Sequence, residues 1–261
     1  MMSLKGHAAL ITGSTKGVGR AIAEAYAAAG ADVLVHGRSP GAEADDVLAA
    51  CRASGVKAEF IAGDLSQPEG DRPLFDAALR AMPHLDILVN NAGQFFDLPF
   101  EEMTRDRFAH TMRLNVEAGY FLTQSFAKHF IARNVAGRVL FIGSINGRLA
   151  EPNSTAYDTS KGALEMMVRT LAVALAPRNI RVNGLAPGLV KTSQTSWIDT
   201  RPEQARWIAH HTPNGKIPGA DVCGPGAVYL VSDEAEHVHG HMLLIDGGMS
   251  AWQHPGRGPY T

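Results

Sequence analysis

Two side chains capable of acid–base chemistry stand four positions apart in the second half of the chain. Tyr157 and Lys161 begin a stretch with helical periodicity, so both side chains fall on one face and can act on one ligand. A tyrosine with its ordinary pKa of about 10 is a poor acid or base at neutral pH, but a neighbouring ammonium favours the phenolate. Lowering this pKa by roughly three units requires about 4 kcal/mol, which Lys161 and a second positive charge would supply. The alternative is an ordinary helix surface.

A glycine-rich turn follows the first predicted strand and leads into a helix. Glycines let the backbone approach a pyrophosphate, and a helix N-terminus offers unpaired N–H groups with partial positive charge. The spacing is GxxxGxG rather than the commoner GxGxxG, so a purely structural turn remains the alternative. As a cofactor site, the turn would use Gly13, Ser14, Thr15, Lys16, Gly17, Val18 and Gly19.

The end of the second predicted strand indicates which dinucleotide would bind. A carboxylate at this position accepts hydrogen bonds from a free ribose 2′-hydroxyl, whereas a 2′-phosphate requires a cation. The sequence ends this strand with His36, Gly37, Arg38 and Ser39, and therefore offers no carboxylate. Arg38 is placed to bind a phosphate beside Ser39, and Lys16 adds a second positive charge. We therefore expect NADP(H) rather than NAD(H), the alternative being that both cations are solvated surface residues.

Short aliphatic runs alternate along the chain with longer, alanine-rich amphipathic stretches, a pattern typical of repeated βα units. The strands are apolar on both faces, which predicts helices on both faces of one parallel sheet. We expect a single α/β domain, 1–261, with a Rossmann-type, doubly wound sheet of about seven strands. The predicted strands are Ala8 to Thr12, Val33 to His36, Ala58 to Ala62, Ile87 to Asn90, Arg138 to Ile142, Arg181 to Leu185 and Met242 to Ile245. The predicted helices include Val18 to Ala29, Asp71 to Met82, Arg107 to Arg133 and Ala156 to Ala176.

Two segments depart from this alternation. Residues 189–219 are polar and contain three prolines, and they follow a strand at the edge where such sheets build ligand sites, so we interpret them as a substrate lid. Trp197, Trp207, His210 and His211 lie in this segment. Residues 249–261 are interpreted as a tail. The alternating histidines at 237, 239 and 241 invite a metal proposal, but alternation does not make ligands converge, and we expect no metal.

Composition limits the possible partners. The chain has 261 residues, of which 45% are hydrophobic and 19% charged, with a formal net charge of −2. This balance provides no field that would attract nucleic acid, so a small molecule is the expected partner. Two cysteines without metal-type spacing favour a reduced, cytoplasmic setting. We expect no membrane association, because no stretch approaches the length of a membrane span and the N-terminal apolar run is short.

Taken in order, these motifs resemble the short-chain dehydrogenase/reductase family over nearly the whole chain. The resemblance rests on the glycine turn, NNAG at 90–93, Asn115, Ser144, YxxxK at 157–161, PG at 187–188 and the closing IDGG at 245–248. It implies hydride transfer between nicotinamide C4 and a carbonyl or secondary alcohol carbon. Fold alone does not secure activity, so a catalytically idle NADP-binding sensor or scaffold is the alternative.

The resemblance also implies a role for each site residue. Tyr157 would be the acid or base, and Ser144 would hydrogen-bond the substrate oxygen. Lys161 would bind the nicotinamide ribose and, with the positive nicotinamide ring, lower the pKa of Tyr157. Asn115 would position a water that relays protons to Lys161. Further cofactor contacts would come from Asp64, Leu65, Asn91, Ala92, Gly93, Pro187, Gly188, Val190 and Thr192, with Asp64 against the adenine amino group. By itself, Asp64 would more simply form a turn.

The substrate is less well defined by the sequence. The pattern most resembles NADP-dependent reductases, including 3-oxoacyl carrier-protein reductases, whose acidic carrier calls for cations beside the pocket. Arg178 stands where such a cation is expected, but Val135 occupies the companion position, with Arg133 nearby. We therefore expect a ketone reductase, with an oxoacyl-thioester reductase as a narrower reading and a sugar or polyol dehydrogenase as the alternative. The resemblance also implies a homotetramer, or a dimer, packed through the helices that contain Asn115 and Tyr157.

Overall fold

The computed structural model describes residues 2–252. Seven parallel strands form one sheet: β1 (Ala8–Ile11), β2 (Asp32–Gly37), β3 (Ala58–Ala62), β4 (Ile87–Asn90), β5 (Gly137–Ile142), β6 (Ile180–Pro187) and β7 (Met242–Ile245). Their order across the sheet is β3-β2-β1-β4-β5-β6-β7. The order reverses direction between β1 and β4, which is where sheets of this type bind ligands. The predicted Rossmann-type α/β fold is confirmed.

The helices between the strands cover both faces of the sheet. They are α1 (Gly17–Ala28), α2 (Ala42–Ala53), α3 (Asp71–Ala81), α4 (Arg105–Met112), α5 (Ala118–Arg133), α6 (Thr155–Leu175), α7 (Trp197–Thr200), α8 (Pro202–His211) and α9 (Cys223–Val231). One buried cluster joins Leu10 to Phe126 of α5 and Leu164 of α6. The other joins Ile11 to Tyr26 of α1 and contains residues of α2 and α9. Adjacent residues of β1 thus pack into the two hydrophobic clusters on opposite faces of the sheet, as predicted from strands that are apolar on both faces.

The predicted helix from Arg107 to Arg133 is not a single α-helix. It consists of α4, a π-helical turn over Arg113–Glu117 and then α5. A π-turn accommodates an extra residue in the helix and changes the direction of the side chains beside it. Asn115 lies within this turn and is buried. The π-turn therefore determines how Asn115 faces the site.

The predicted lid, residues 189–219, is more helical than its composition indicates. Pro202 is the first residue of α8, a position where proline's missing N–H costs no hydrogen bond. Trp207 lies on α8 with 59% of its surface exposed and stacks on His211, with the ring centroids 3.8 Å apart. Of the predicted tail, residues 253–261 lie outside the described part of the chain. The prediction of one domain stays a prediction, although all seven strands described within residues 2–252 belong to one sheet.

Candidate active site

Hydrogen bonds with the loop after β4 and within the turn itself hold the glycine turn in place. The hydroxyl of Thr12 accepts hydrogen bonds from the backbone N–H groups of Asn91 and Ala92, at 2.9 and 3.0 Å. The amide Nδ2 of Asn91 donates to the carbonyl oxygens of Thr12 and Gly13, at 2.9 and 3.0 Å. The hydroxyl of Ser14 donates to the Ile11 carbonyl at 2.7 Å. The side chains of Asn91 and Ser14 therefore fix the backbone of the turn through hydrogen bonds to its carbonyl oxygens and to that of Ile11.

The turn has the backbone geometry that a pyrophosphate needs. Gly13 and Gly17 have φ angles of 63° and 58°, in the region that favours glycine. A Cβ atom on Gly19 would lie 2.4 Å from Nδ2 of Asn91 and 2.5 Å from the Gly13 carbonyl oxygen. Helix α1 begins at Gly17, within the turn, and its N-terminus has no side-chain cap. Its first N–H groups can therefore hold the phosphates of a dinucleotide, so the predicted turn residues fit this group.

Beside this turn, the cationic residues have different surroundings. Arg38 and Ser39 are exposed immediately after β2. The ammonium of Lys16 is also exposed, but it lies 3.9 Å from the Glu43 carboxylate. Arg38 is thus the stronger candidate for a 2′-phosphate, because Glu43 partly offsets the charge of Lys16.

Asp64 forms the local turn that its position suggests. Its Oδ1 accepts hydrogen bonds from the backbone N–H and the hydroxyl of Ser66, at 2.9 and 2.6 Å. These bonds, with smaller contributions from Gln67 and Arg38, lower the pKa of Asp64. Leu65 is buried beside it. A role against the adenine amino group stays a prediction for Asp64, whose Oδ1 is already engaged.

The catalytic candidates converge at the carboxyl end of β5. Ser144 follows this strand and is half-buried, and its Oγ accepts a hydrogen bond from the Asn146 N–H at 3.2 Å. Tyr157 and Lys161 lie on the first turns of α6. The ammonium Nζ of Lys161 lies 5.3 Å from the centroid of the Tyr157 ring and donates to the Ile142 carbonyl at 2.8 Å. These are three of the four residues predicted for catalysis, and they share one site; the fourth is Asn115.

Burial shifts the pKa values of both Tyr157 and Lys161. Burial raises the pKa of Tyr157 to about 12; the hydrogen bond with Ser144 opposes this shift, and Asp158 and Glu151 add to it. Burial lowers the pKa of Lys161 to about 8. Desolvation is the largest effect on both groups in the protein alone, so the lowering of the Tyr157 pKa by Lys161 together with the nicotinamide ring stays a prediction. Tyr157 is a neutral phenol, the form that can donate a proton.

Asn115 is held by three hydrogen bonds. Its Oδ1 accepts from the Gln94 N–H at 2.8 Å, while its Nδ2 donates to the Gln94 carbonyl and to the Ser160 hydroxyl, both at 3.0 Å. The Asn115 side chain thereby ties the segment after NNAG to helix α6. Asn115 and Lys161 line the same small cavity. The role of Asn115 in a water relay to Lys161 stays a prediction.

Phe95 is a residue of the site that the sequence did not single out. Its ring meets the Tyr157 ring edge to face, with the centroids 5.4 Å apart, and 39% of its surface is exposed. Gln94, its neighbour, accepts a hydrogen bond at Oε1 from Nε2 of His110 at 3.0 Å. Phe95 therefore forms an apolar wall beside the phenol of Tyr157. The position after NNAG was the only available signal, because an isolated aromatic residue in a loop has no periodicity.

The loop after β6 closes the site on the opposite side. Pro187 ends the strand and the Gly188 N–H donates to the Ile245 carbonyl at 2.9 Å. A Cβ atom on Gly17 would lie 3.6 Å from the Thr192 methyl group, so the lid begins directly opposite the glycine turn. The remaining predicted contacts sit at the same edge: Val190 is buried, Gly93 is exposed, and a Cβ on Gly93 would lie 3.3 Å from Oδ1 of Asn115.

The histidines near β7 do not form a cluster with other ligand types. Nε2 of the exposed His239 makes a hydrogen bond with the Glu236 carbonyl at 3.1 Å. Within residues 2–252, no group of three His, Cys, Asp or Glu side chains is arranged to hold a metal ion. Over the same residues, no helix is long and apolar enough to cross a membrane.

Together, the fold and this site define a dinucleotide-dependent oxidoreductase: a glycine turn that fits phosphates follows β1 at the switch point of the sheet, and a phenol, a hydroxyl and a buried ammonium lie near the end of β5. Residues 13–250 match the family model described as Enoyl-(Acyl carrier protein) reductase. The chain belongs to the short-chain dehydrogenase/reductase family, which confirms the resemblance seen in the sequence.

Individual relatives agree with this assignment. Glucose 1-dehydrogenase 2 of Bacillus subtilis is 34% identical over 251 residues, covering 95% of this chain and 96% of the relative. L-rhamnose 1-dehydrogenase (NADP(+)) of Thermoplasma acidophilum is 35% identical over 252 residues, covering 95% and 98%. The structure of a gluconate 5-dehydrogenase from Burkholderia cenocepacia in complex with NADP and tartrate superposes with a TM-score of 0.90, at 30% identity and with coverage of 96% and 98%. These comparisons support an oxidoreductase and NADP(H) as its cofactor.

Proposed function

We propose that this protein transfers hydride between nicotinamide C4 of NADP(H) and the carbon of a ketone or secondary alcohol. The observation that carries the proposal is the placement of Lys161, whose buried ammonium lies 5.3 Å from the Tyr157 ring beside the end of β5. NADPH supplies the hydride when it is bound. Tyr157, a phenol with a raised pKa, supplies the proton to the substrate oxygen.

The other site residues orient the reactants. Ser144 donates a hydrogen bond to the substrate oxygen and keeps it within reach of Tyr157. Lys161 binds the nicotinamide ribose, and Asn115 positions the water that returns protons to Lys161. Arg38 binds the 2′-phosphate, and the glycine turn with the start of α1 binds the pyrophosphate. In the direction of alcohol oxidation, Tyr157 removes the proton instead.

A sugar or polyol is the substrate class that the relatives favour. Both curated relatives described above are named for sugar oxidation, and the gluconate 5-dehydrogenase is named for a sugar acid. An oxoacyl thioester on a carrier protein is less well supported, because Val135, at the position expected to carry the second cation, is uncharged. We therefore propose polyhydroxylated ketones and alcohols ahead of oxoacyl thioesters.

A substrate panel tests this proposal. NADPH oxidation is measured with ketones, oxoacyl thioesters, keto sugars and quinones, and NADP⁺ reduction with sugars, sugar acids and polyols. Turnover of a sugar or polyol in preference to the thioesters is the expected result. Turnover of thioesters alone would replace the substrate class, and NADPH binding without any turnover would favour the idle sensor.

We also propose a cytoplasmic homotetramer. Both cysteines are buried free thiols, which fits a reducing compartment. Five large apolar side chains are exposed along α5 and α6: Tyr120 at 41%, Phe121 at 43%, Ile131 at 40%, Met166 at 55% and Val173 at 78%. Exposed apolar residues on neighbouring helices are typical of subunit contacts. Light scattering should give the mass of four chains, and Val173→Asp should lower it; a monomeric parent protein would contradict the proposal.

A further inference from the structure

The imidazole of His36 lies beneath the cofactor site, at the end of β2. His36 is 3% exposed and is the polar residue in the otherwise apolar run Val33–Gly37. Its Nδ1 accepts a hydrogen bond from the Gly13 N–H at 3.0 Å. Its Nε2 lies 3.1 Å from the Gly63 carbonyl oxygen. One buried side chain thus joins the turn after β1 to the end of β3.

These partners determine the chemical state of the ring. A backbone N–H can only donate and a carbonyl can only accept, so Nδ1 must be unprotonated and Nε2 must carry the hydrogen. The ring is therefore a neutral imidazole in one tautomer. Burial lowers the pKa of His36 to about 4, against smaller opposing effects of the Gly63 carbonyl and of Asp64, which keeps the ring neutral at physiological pH.

The backbone of His36 strengthens the same junction. Its N–H donates to the Ser14 hydroxyl at 3.0 Å, and its carbonyl accepts from the Ser14 N–H at 2.9 Å. Gly13 opens the phosphate-binding turn, Gly63 precedes Asp64, and Arg38 stands two residues after His36. All three cofactor-binding segments therefore depend on the position of this one residue.

We propose that His36 is a positioning residue for the cofactor, which holds the pyrophosphate turn, the 2′-phosphate side and the adenine side in a fixed relation. This inference rests on the proposed NADP(H) site and concerns how that site is kept in shape. His36 does not reach the substrate, because its two ring nitrogens are engaged with Gly13 and Gly63. Its loss should therefore affect the binding of the cofactor and not the chemical step.

The test compares three substitutions in the full-length protein. His36→Leu removes both ring contacts; His36→Asn keeps an acceptor near the position of Nδ1, and His36→Gln keeps a donor near that of Nε2. The free energy of one hydrogen bond corresponds to a factor of about 2 to 13 in an equilibrium constant. Because His36→Leu removes two such bonds, we expect it to raise the Kd and the KM for NADPH about 10- to 50-fold. At saturating NADPH, kcat and the substrate KM should stay within about twofold of the parent values. Each amide variant should recover part of the loss in affinity.

Asn183→Leu is the matched control. Asn183 is also buried on a strand, and it likewise donates to a backbone carbonyl, that of Val238, and accepts from a backbone N–H, that of His241, at 2.6 and 3.1 Å. Its partners lie toward β7 and away from the cofactor turn, so it should lose thermal stability but bind NADPH as the parent does.

The outcomes separate this inference from the proposed function. If the parent protein does not bind NADPH, the proposed function fails. If the parent binds NADPH but all three His36 variants bind it equally well, only the role of His36 is overturned, even where stability falls. Should His36→Leu not fold, the two amide variants decide the question in the same way: raised Kd values support the inference and unchanged values refute it.

Discussion

Arg38→Ala is the sharpest test of cofactor choice. Arg38 is exposed after β2, and its charge contributes to lowering the pKa of Asp64, the residue predicted to contact the adenine amino group. A hydrogen bond to a charged group contributes about 1.5–3 kcal/mol, and exposure to solvent favours the lower end of that range. A value of about 1.5 kcal/mol corresponds to a loss of roughly tenfold.

The assay is steady-state kinetics with NADPH and NADH in parallel. We expect kcat/KM for NADPH to fall about tenfold and that for NADH to change by less than about twofold, because NADH has no 2′-phosphate. Lys16→Ala should have a smaller effect, since its ammonium already lies 3.9 Å from Glu43. Arg80→Ala, at the exposed C-terminal turn of α3, serves as the control. Equal losses for both cofactors with Arg38→Ala would refute the assignment of the 2′-phosphate.

Two further predictions concern the turn and the buried lysine. Gly19→Ala should abolish measurable NADPH binding, because its Cβ would lie 2.4 Å from the Asn91 amide. Gly41→Ala is the control and should bind NADPH normally, because no atom lies within 4 Å of its Cβ. Calorimetric titration measures both affinities, and normal binding by Gly19→Ala would be inconsistent with the turn geometry. Burial lowers the pKa of Lys161 to about 8 from 10.5, so the unfolded chain binds more protons in this window and stability should rise with pH across it. The Tm of the parent should therefore rise relative to that of Lys161→Met between these pH values, and a constant difference would contradict the burial of the ammonium.

The sequence predicted the sheet well because its strands are short apolar runs with clear boundaries. The predicted β3, β4 and β7 have the observed ends, whereas β6 continues two residues past the predicted Leu185, to Pro187. The π-turn around Asn115 was not predictable, since its residues continue the helical pattern on both sides. The helix α8 was missed because Pro202 was read as an interruption, although proline is well tolerated at a first helical position.

Part of the candidate site was likewise predicted from the sequence, and part of it was not. The family resemblance, which rests on the order of the motifs, placed Ser144, Tyr157 and Lys161 in one site; in the structure Ser144 follows β5, and the other two lie on the first turns of α6. The direction of the Tyr157 pKa shift could not be obtained from the Tyr–Lys spacing, since it depends on how deeply α6 and Phe95 bury the phenol. His36 gave one signal, a polar residue in an apolar strand, but its two partners come from segments distant in sequence.

The most direct test of the central claim is the turnover of Tyr157→Phe. This substitution removes the phenol hydroxyl and leaves the ring that packs on Phe95 and lies near Lys161. With a substrate accepted by the parent, we expect kcat to fall about 10²- to 10⁴-fold while the Kd for NADPH stays within about twofold. Tyr120→Phe, which alters an exposed tyrosine on α5, should leave both values unchanged. Turnover by Tyr157→Phe at the parent rate would contradict proton transfer by Tyr157.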